Sequence, residues 1–140
     1  MRVIIAGSRS VTQDQVNEVF TRCPWASSVT CVVSGGAKGA DEYGEILAAN
    51  LGIQVEIYKP EWSRYGKQAG PVRNRVMAKN AEGLIAIWDG LSRGTKNMIN
   101  LAKKAGLRIY VFQTSNDQII SVDALGKVAA AWALHEHVKS

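Results

Sequence analysis

The chain has 140 residues, 46% of them hydrophobic and 21% charged, with 13 Gly and 3 Pro, which suits one ordinary domain and excludes a disordered, collagen-like or polyproline chain. No apolar run approaches the roughly 20 residues of a membrane helix, and the short apolar stretch after the first two residues is too brief for a signal peptide. The formal charge of +5 is uneven, with seven bases against seven acids in residues 1–70 and ten against five in residues 71–140, an excess that either draws in anions such as a nucleotide, nucleic acid or phosphate or forms a solvated basic face; no membrane partner is expected.

In chain order, short apolar runs alternate with helical patterns. Val3-Ile4-Ile5-Ala6 is a continuous apolar run ending at Gly7, as expected of a strand buried on both faces. Val16, Val19, Phe20 and Cys23 follow at helical spacing, with Thr12 as N-cap. Val29 to Val33 reads as a second strand. Ala40, Tyr43, Gly44, Leu47, Ala48 and Leu51 form the cleanest helical stripe, and Gly52 stands at its C′ position. Val55 to Tyr58 is a third strand, followed by a basic loop. A helix from about Gly70 to Asn80 turns Val72, Val76 and Met77 inward. Leu84 to Ile87 is the fourth strand. Met98, Leu101, Ala102 and Ala105 mark a helix closed by Gly106, and Ile109 to Phe112 is the fifth strand. A last helix is expected from about Val122 to His137.

Strands separated by helices, with nearly continuous apolar strand runs, predict an α/β fold with one parallel sheet covered by helices on both faces. There is no repeat and no linker, so residues 1–140 are expected to form one unit. The two cysteines, Cys23 and Cys31, fit a reducing compartment and read as core residues. His135 and His137 lie together near the C-terminus, so no metal site and no Ser–His–Asp set is expected; no cofactor is expected either. The cytoplasm is the expected location.

Ligands in parallel α/β sheets sit beyond the carboxyl ends of the strands. Four loops fall there: Gly7-Ser8-Arg9-Ser10, the run Ser34 to Asp41, the segment Lys59 to Arg75, and the run Trp88 to Thr95. The second sets Gly35, Gly36 and Gly39 between a strand and a helix, where glycine backbone approaches an anion and the helix start adds positive charge. It lacks the GxxxxGK[ST] spacing of an Mg-nucleotide loop, and it matches a dinucleotide fingerprint only with Ser34 in the first glycine's place. Gly94-Thr95 repeats the same physics, although Thr95 also suits an N-cap. The third loop sets Lys59, Arg64, Lys67, Arg73 and Arg75 against Glu61 alone, with Trp62 and Tyr65 interleaved, as stacking groups or as loop anchors. Asp41 reads either as an acid complementing a helix dipole or as a ribose acceptor or catalytic carboxylate.

These residues together resemble the SLOG superfamily of Rossmann-like domains, which includes the LOG phosphoribohydrolases, the DprA/Smf DNA-processing proteins and the YpsA-related proteins. The resemblance covers residues 2–112 and rests on Gly7-Ser8-Arg9, on Ser34 to Asp41, on Trp62 with Tyr65-Gly66, on Ala69-Gly70-Pro71-Val72-Arg73-Asn74-Arg75, and on Gly94-Thr95. It is strongest to the small stand-alone YpsA-related branch found in bacteria and phages. It implies a three-layer sandwich with five parallel strands in the order 3-2-1-4-5, a nucleotide-derived ligand and a homodimer. LOG-type hydrolysis of an N-glycosidic bond uses an arginine, whose place Arg73 holds, and a glutamate, whose place Met98 holds. Asp41 is the carboxylate near enough to substitute.

Three readings follow. The first is a nucleotide or ribose-phosphate binder with N-glycosidase activity, in which Gly35, Gly36, Gly39, Gly94 and Thr95 hold phosphate. In it Arg9, Arg73 and Arg75 neutralise charge, and Asp41 meets the ribose or catalyses. Gly7, Ser8, Ser34, Trp62 and Asn74 complete that expected site. The second is a sensor or sequestering module for the same ligand, and the third a single-strand nucleic-acid binder resembling DprA.

Overall fold

A computed structural model describes residues 1–122. Six strands form one sheet in the order β3-β2-β1-β4-β5-β6: β1 (Arg2–Gly7), β2 (Cys31–Ser34), β3 (Gln54–Ile57), β4 (Gly83–Trp88), β5 (Arg108–Gln113) and β6 (Gln118–Val122). The first five are parallel in the expected order. Among the described residues five α-helices accompany them: α1 (Gln13–Arg22), α2 (Ala40–Asn50), the short α3 (Trp62–Tyr65), α4 (Ala69–Lys79) and α5 (Arg93–Lys104).

Strand alternation divides the core into two. Val3, Ile5, Ile85 and Ile87 point to the α1 and α2 face, where Val16, Val19, Phe20, Leu47 and Ala48 meet them. Ile4, Ala6, Leu84 and Ala86 point to the other face, against Met77 and Ala78 of α4 and Met98, Ile99 and Ala102 of α5. This double burial is why β1 and β4 read as unbroken apolar runs. Thr12 caps α1 as expected, and its hydroxyl and the Gln15 side chain exchange hydrogen bonds with each other's backbone in a capping box. Cys23 and Cys31 are free and buried; burial pushes the Cys23 thiol up to about 11.

Four expectations need correction. The sheet has a sixth strand: the turn at Thr114–Asp117, with Asp117 at φ 56°, sends the chain back antiparallel along β5 and buries Ile119. Val122 therefore ends β6, paired with Ile109, rather than opening a helix; the remainder of the expected 122–137 helix lies outside the described residues. The second strand starts at Cys31, because Val29 closes a 3-10 turn at Ala26–Ser28. Val76 is 41% exposed, and Asn74 takes the inward position of α4 with Met77 and Ala78. An amide is tolerated there because both its ends find partners. The third strand, finally, is exposed along its length, since it is an edge.

Candidate functional site

All four loops meet at the carboxyl ends of the parallel strands and enclose a cleft of about 1030 Å³. The loop after β1 contributes Arg9, the β2–α2 loop contributes Gly35 to Lys38, the segment after β3 contributes Lys59 and Trp62, α4 contributes Arg73 and Asn74, and α5 contributes Arg93, Gly94 and Asn97. Among the described residues, five cationic side chains, those of Arg9, Lys38, Lys59, Arg73 and Arg93, line this cleft, and no carboxylate does. Beneath it opens an inner recess of about 180 Å³, bordered by Gly7, Asp41, Thr95 and Met98.

Close backbone approach holds the loops in this arrangement. Gly39 has φ +85°, and a side chain there would stand 2.8 Å from the Ser8 carbonyl oxygen and 2.7 Å from the Arg9 Cα. Only glycine lets the first two loops touch at that point. Ser8 is buried; its N–H donates to the Ile87 carbonyl, and its hydroxyl accepts from the Asp89 N–H, both at 3.0 Å. Asp89 in turn accepts from the Leu91 and Ser92 N–H groups at 2.8 and 2.7 Å. Those two bonds, that from Ser92 foremost, pull its carboxyl below the usual range. The indole N–H of Trp88 donates to the Ser92 carbonyl at 3.0 Å. The fourth loop is thus tied at three points before α5 begins.

The β2–α2 loop is folded around acceptors of its own. The Gly36 N–H donates to the Ser34 hydroxyl at 3.1 Å, and that hydroxyl donates to Glu45 at 2.6 Å. The Ala37 N–H donates to Asp41 at 3.3 Å. Asp41 is 8% exposed. Desolvation raises its carboxyl to about 6, while the Ala37 N–H and the positive charge of Arg73 pull the other way. Arg73 donates to the Gly35 carbonyl at 2.5 Å and, through Nε, to the Asn74 side-chain oxygen at 2.8 Å. Burial lowers the Arg73 pKa and Asp41 opposes that fall. Gly35 is glycine for want of room: a Cβ would lie 2.6 Å from an Arg73 guanidinium nitrogen and 2.7 Å from an Asp41 oxygen.

At α5 the situation differs. No acid stands in its first turn, and Ser92 makes no side-chain cap to its backbone; its hydroxyl lies 3.1 Å from that of Thr95. An α-helix leaves its first N–H groups without intrahelical partners. A side chain at Gly94 would meet nothing within 4 Å, so the backbone there faces open space on the cleft wall.

Of the residues expected from the sequence, Arg9, Gly35, Gly36, Trp62, Arg73, Asn74 and Gly94 line the cleft, and Gly7, Asp41 and Thr95 line the recess. Ser8, Ser34 and Gly39 sit behind these surfaces, holding the loops together. Arg75 is exposed and lines neither cavity. Met98 is 1% exposed, on the core face of α5 as its spacing predicts. Asn97 was not singled out by sequence reasoning; its place two residues after Thr95, at the start of the second turn of α5, is the signal that points to it.

Comparison with known proteins agrees with this architecture. The chain is 31% identical over 122 residues to the Gene 61 protein of Mycobacterium phage D29, a match spanning 79% of this chain and 95% of that protein. The chain belongs to the family of that phage protein. DNA processing protein A (DprA) of Streptococcus pneumoniae shares the fold, with a TM-score of 0.60 at 20% identity over 79% of this chain. The match spans about half, 49%, of the DprA chain. No family model matches.

Proposed function

We propose that the cleft binds a nucleotide or a related ribose-phosphate anion, and that the chain is a small stand-alone YpsA-related member of the SLOG superfamily. One observation carries the reading: among the described residues, five cationic side chains and no carboxylate line a cleft onto which the acid-free first turn of a twelve-residue helix opens. Phosphate sits at the α5 end, where unspent backbone donors open onto the cleft that Arg9, Arg73 and Arg93 line. The rest of the cleft, about 1030 Å³ in all, leaves room for sugar and base. Calorimetric titration with the common nucleoside monophosphates at low salt tests this. Saturable binding that weakens as salt rises is expected; absence of binding by all of them at 50 mM salt, a condition of about one Debye length of 14 Å, would sink it.

A second reading has its own support. Trp62 is 61% exposed at the cleft rim, as a base-stacking group needs to be, and the neighbour in fold is a DNA-processing protein. Single-stranded oligonucleotides binding more tightly than mononucleotides, with a steeper salt slope, would place this chain with nucleic-acid binders. Hydrolysis of an N-glycosidic bond rests on Asp41, whose carboxyl in the recess titrates near 6 and so suits acid–base work near neutral pH. Base release from a bound monophosphate, followed by chromatography, separates an enzyme from a sensor.

A further inference from the structure

Four polar groups run in a line from the β2–α2 loop to α5. The Gly35 carbonyl accepts from Arg73, the Arg73 Nε donates to the Asn74 oxygen at 2.8 Å, and the Asn74 Nδ2 donates to the Asn97 oxygen at 2.9 Å. We infer from this line that Asn97 is a ligand-binding residue, presenting its side-chain N–H donors to a phosphate or sugar-hydroxyl oxygen in the cleft, and that Asn74 is the positioning residue that orients it. The inference rests on the proposal that the cleft takes an oxygen-rich anion.

Donor–acceptor logic fixes each step. An arginine Nε can only donate, so the Asn74 atom facing it at 2.8 Å must be the oxygen. The other Asn74 atom is then the amide nitrogen, which can only donate, so Asn97 must turn its own oxygen toward it. What remains to Asn97 is its NH2 group, on the cleft wall and without a partner among the described residues. Reversal is blocked: Asn74 is 6% exposed, and flipping it would set donor against donor in a buried place. The guanidinium that starts the line is itself held at the Gly35 carbonyl. The surrounding lysines and arginines attract any anion, whereas a fixed amide selects an oxygen acceptor at one point, which is the basis of orientation and specificity.

The test is a titration of the 15N-labelled full chain with adenosine monophosphate and, separately, inorganic phosphate. The Asn97 NH2 resonances, assigned through their nuclear Overhauser contacts, are followed beside calorimetry. The expected result is a saturating shift of that pair at the calorimetric affinity, with Asn97→Leu weakening binding about tenfold to a hundredfold. In ligand-free Asn74→Asp, which keeps the acceptor for Arg73 and removes the donor, the Asn97 pair should already have moved. If adenosine monophosphate binds but the wild-type pair stays in place, the inference falls and the cleft proposal stands. The same holds if Asn97→Leu folds and binds as tightly as wild type, or if Asn74→Asp leaves the pair unmoved. If none of adenosine monophosphate, inorganic phosphate and the other common nucleoside monophosphates binds, both fall. Should Asn97→Leu fail to fold, the wild-type shift alone decides.

Discussion

The loops after β2 and β4 look alike in sequence, each a glycine-bearing turn from a strand into a helix, yet they spend their backbone donors differently. In the first, Ser34 and Asp41 take the Gly36 and Ala37 N–H groups, and Asp41 and Glu42 stand in the first turn of α2. In the second, Asp89 takes the Leu91 and Ser92 N–H groups ahead of the helix, and the first turn of α5 carries Arg93 and no acid. The first loop already holds an anion of its own; the second ends in a bare, positively polarised helix start. A glycine-rich turn becomes an anion cradle only where its N–H groups remain unspent and its dipole is not already neutralised.

The largest effect should come from removing the first loop's internal charge. The Asp41 carboxyl keeps its proton to about pH 6 in the folded chain, against an ordinary 3.8. Between those values the folded state binds more protons than the unfolded one, so stability from this group falls as pH rises. The cost is absent below about pH 3.8 and fully present above about pH 6, amounting to about 3 kcal/mol at most. Asp41→Asn should therefore gain on wild type between pH 4 and pH 7 in urea unfolding. A stability difference that stays constant with pH would break the picture of a charge buried at a cost.

Arg73 ties the first loop to α4 and, through Asn74 and Asn97, to α5. Arg73→Ala should lower nucleoside monophosphate affinity about tenfold to a hundredfold, in keeping with a charge-assisted bond of roughly 1.5–3 kcal/mol. Calorimetry on a variant with wild-type circular dichroism reads this directly. Unchanged affinity would confine Arg73 to holding Gly35.

The glycines sharpen the contrast further. Gly35→Ala places a methyl 2.6 Å from an Arg73 guanidinium nitrogen and 2.7 Å from an Asp41 oxygen, so the guanidinium must leave the Gly35 carbonyl and affinity should fall about tenfold. Gly94→Ala meets open space, and alanine favours a helix over glycine by about 1 kcal/mol. Thermal melts should show it as stable as wild type or more so. Equal behaviour of the two variants in melting and binding would erase the distinction between crowded and open loops.

The smallest effect belongs to the rim. Trp62→Ala should weaken adenosine monophosphate about fivefold, the low end of a stacking contact, and leave inorganic phosphate unaffected. Loss of both alike would make Trp62 a support for the basic segment.

Much of the fold was legible because its signals are local. The runs Val3–Ala6 and Leu84–Ile87, the stripe on α2 and the Thr12 cap all lie within one element. Sequence reasoning went astray where partners are distant. Val76 and Asn74 exchange roles because the Asn74 amide is satisfied by Asn97, 23 residues away. The sixth strand was hidden because Gln118–Val122 pairs with β5 through a turn at the non-glycine Asp117.

Sequence alone therefore determined the alternation of strands and helices, their apolar faces and the gathering of four polar, glycine-bearing loops at one sheet edge, since periodicity and chain direction dictate these. Only the tertiary structure decided which loop keeps its donors for itself, that Arg75 lines neither cavity while Lys38, Lys59 and Arg93 do, and that Asn97, on the cleft wall, accepts a hydrogen bond from the buried Asn74. Those outcomes depend on which hydrogen-bond partner a side chain meets across the fold, and a donor's partner is set by three-dimensional proximity rather than by spacing along the chain.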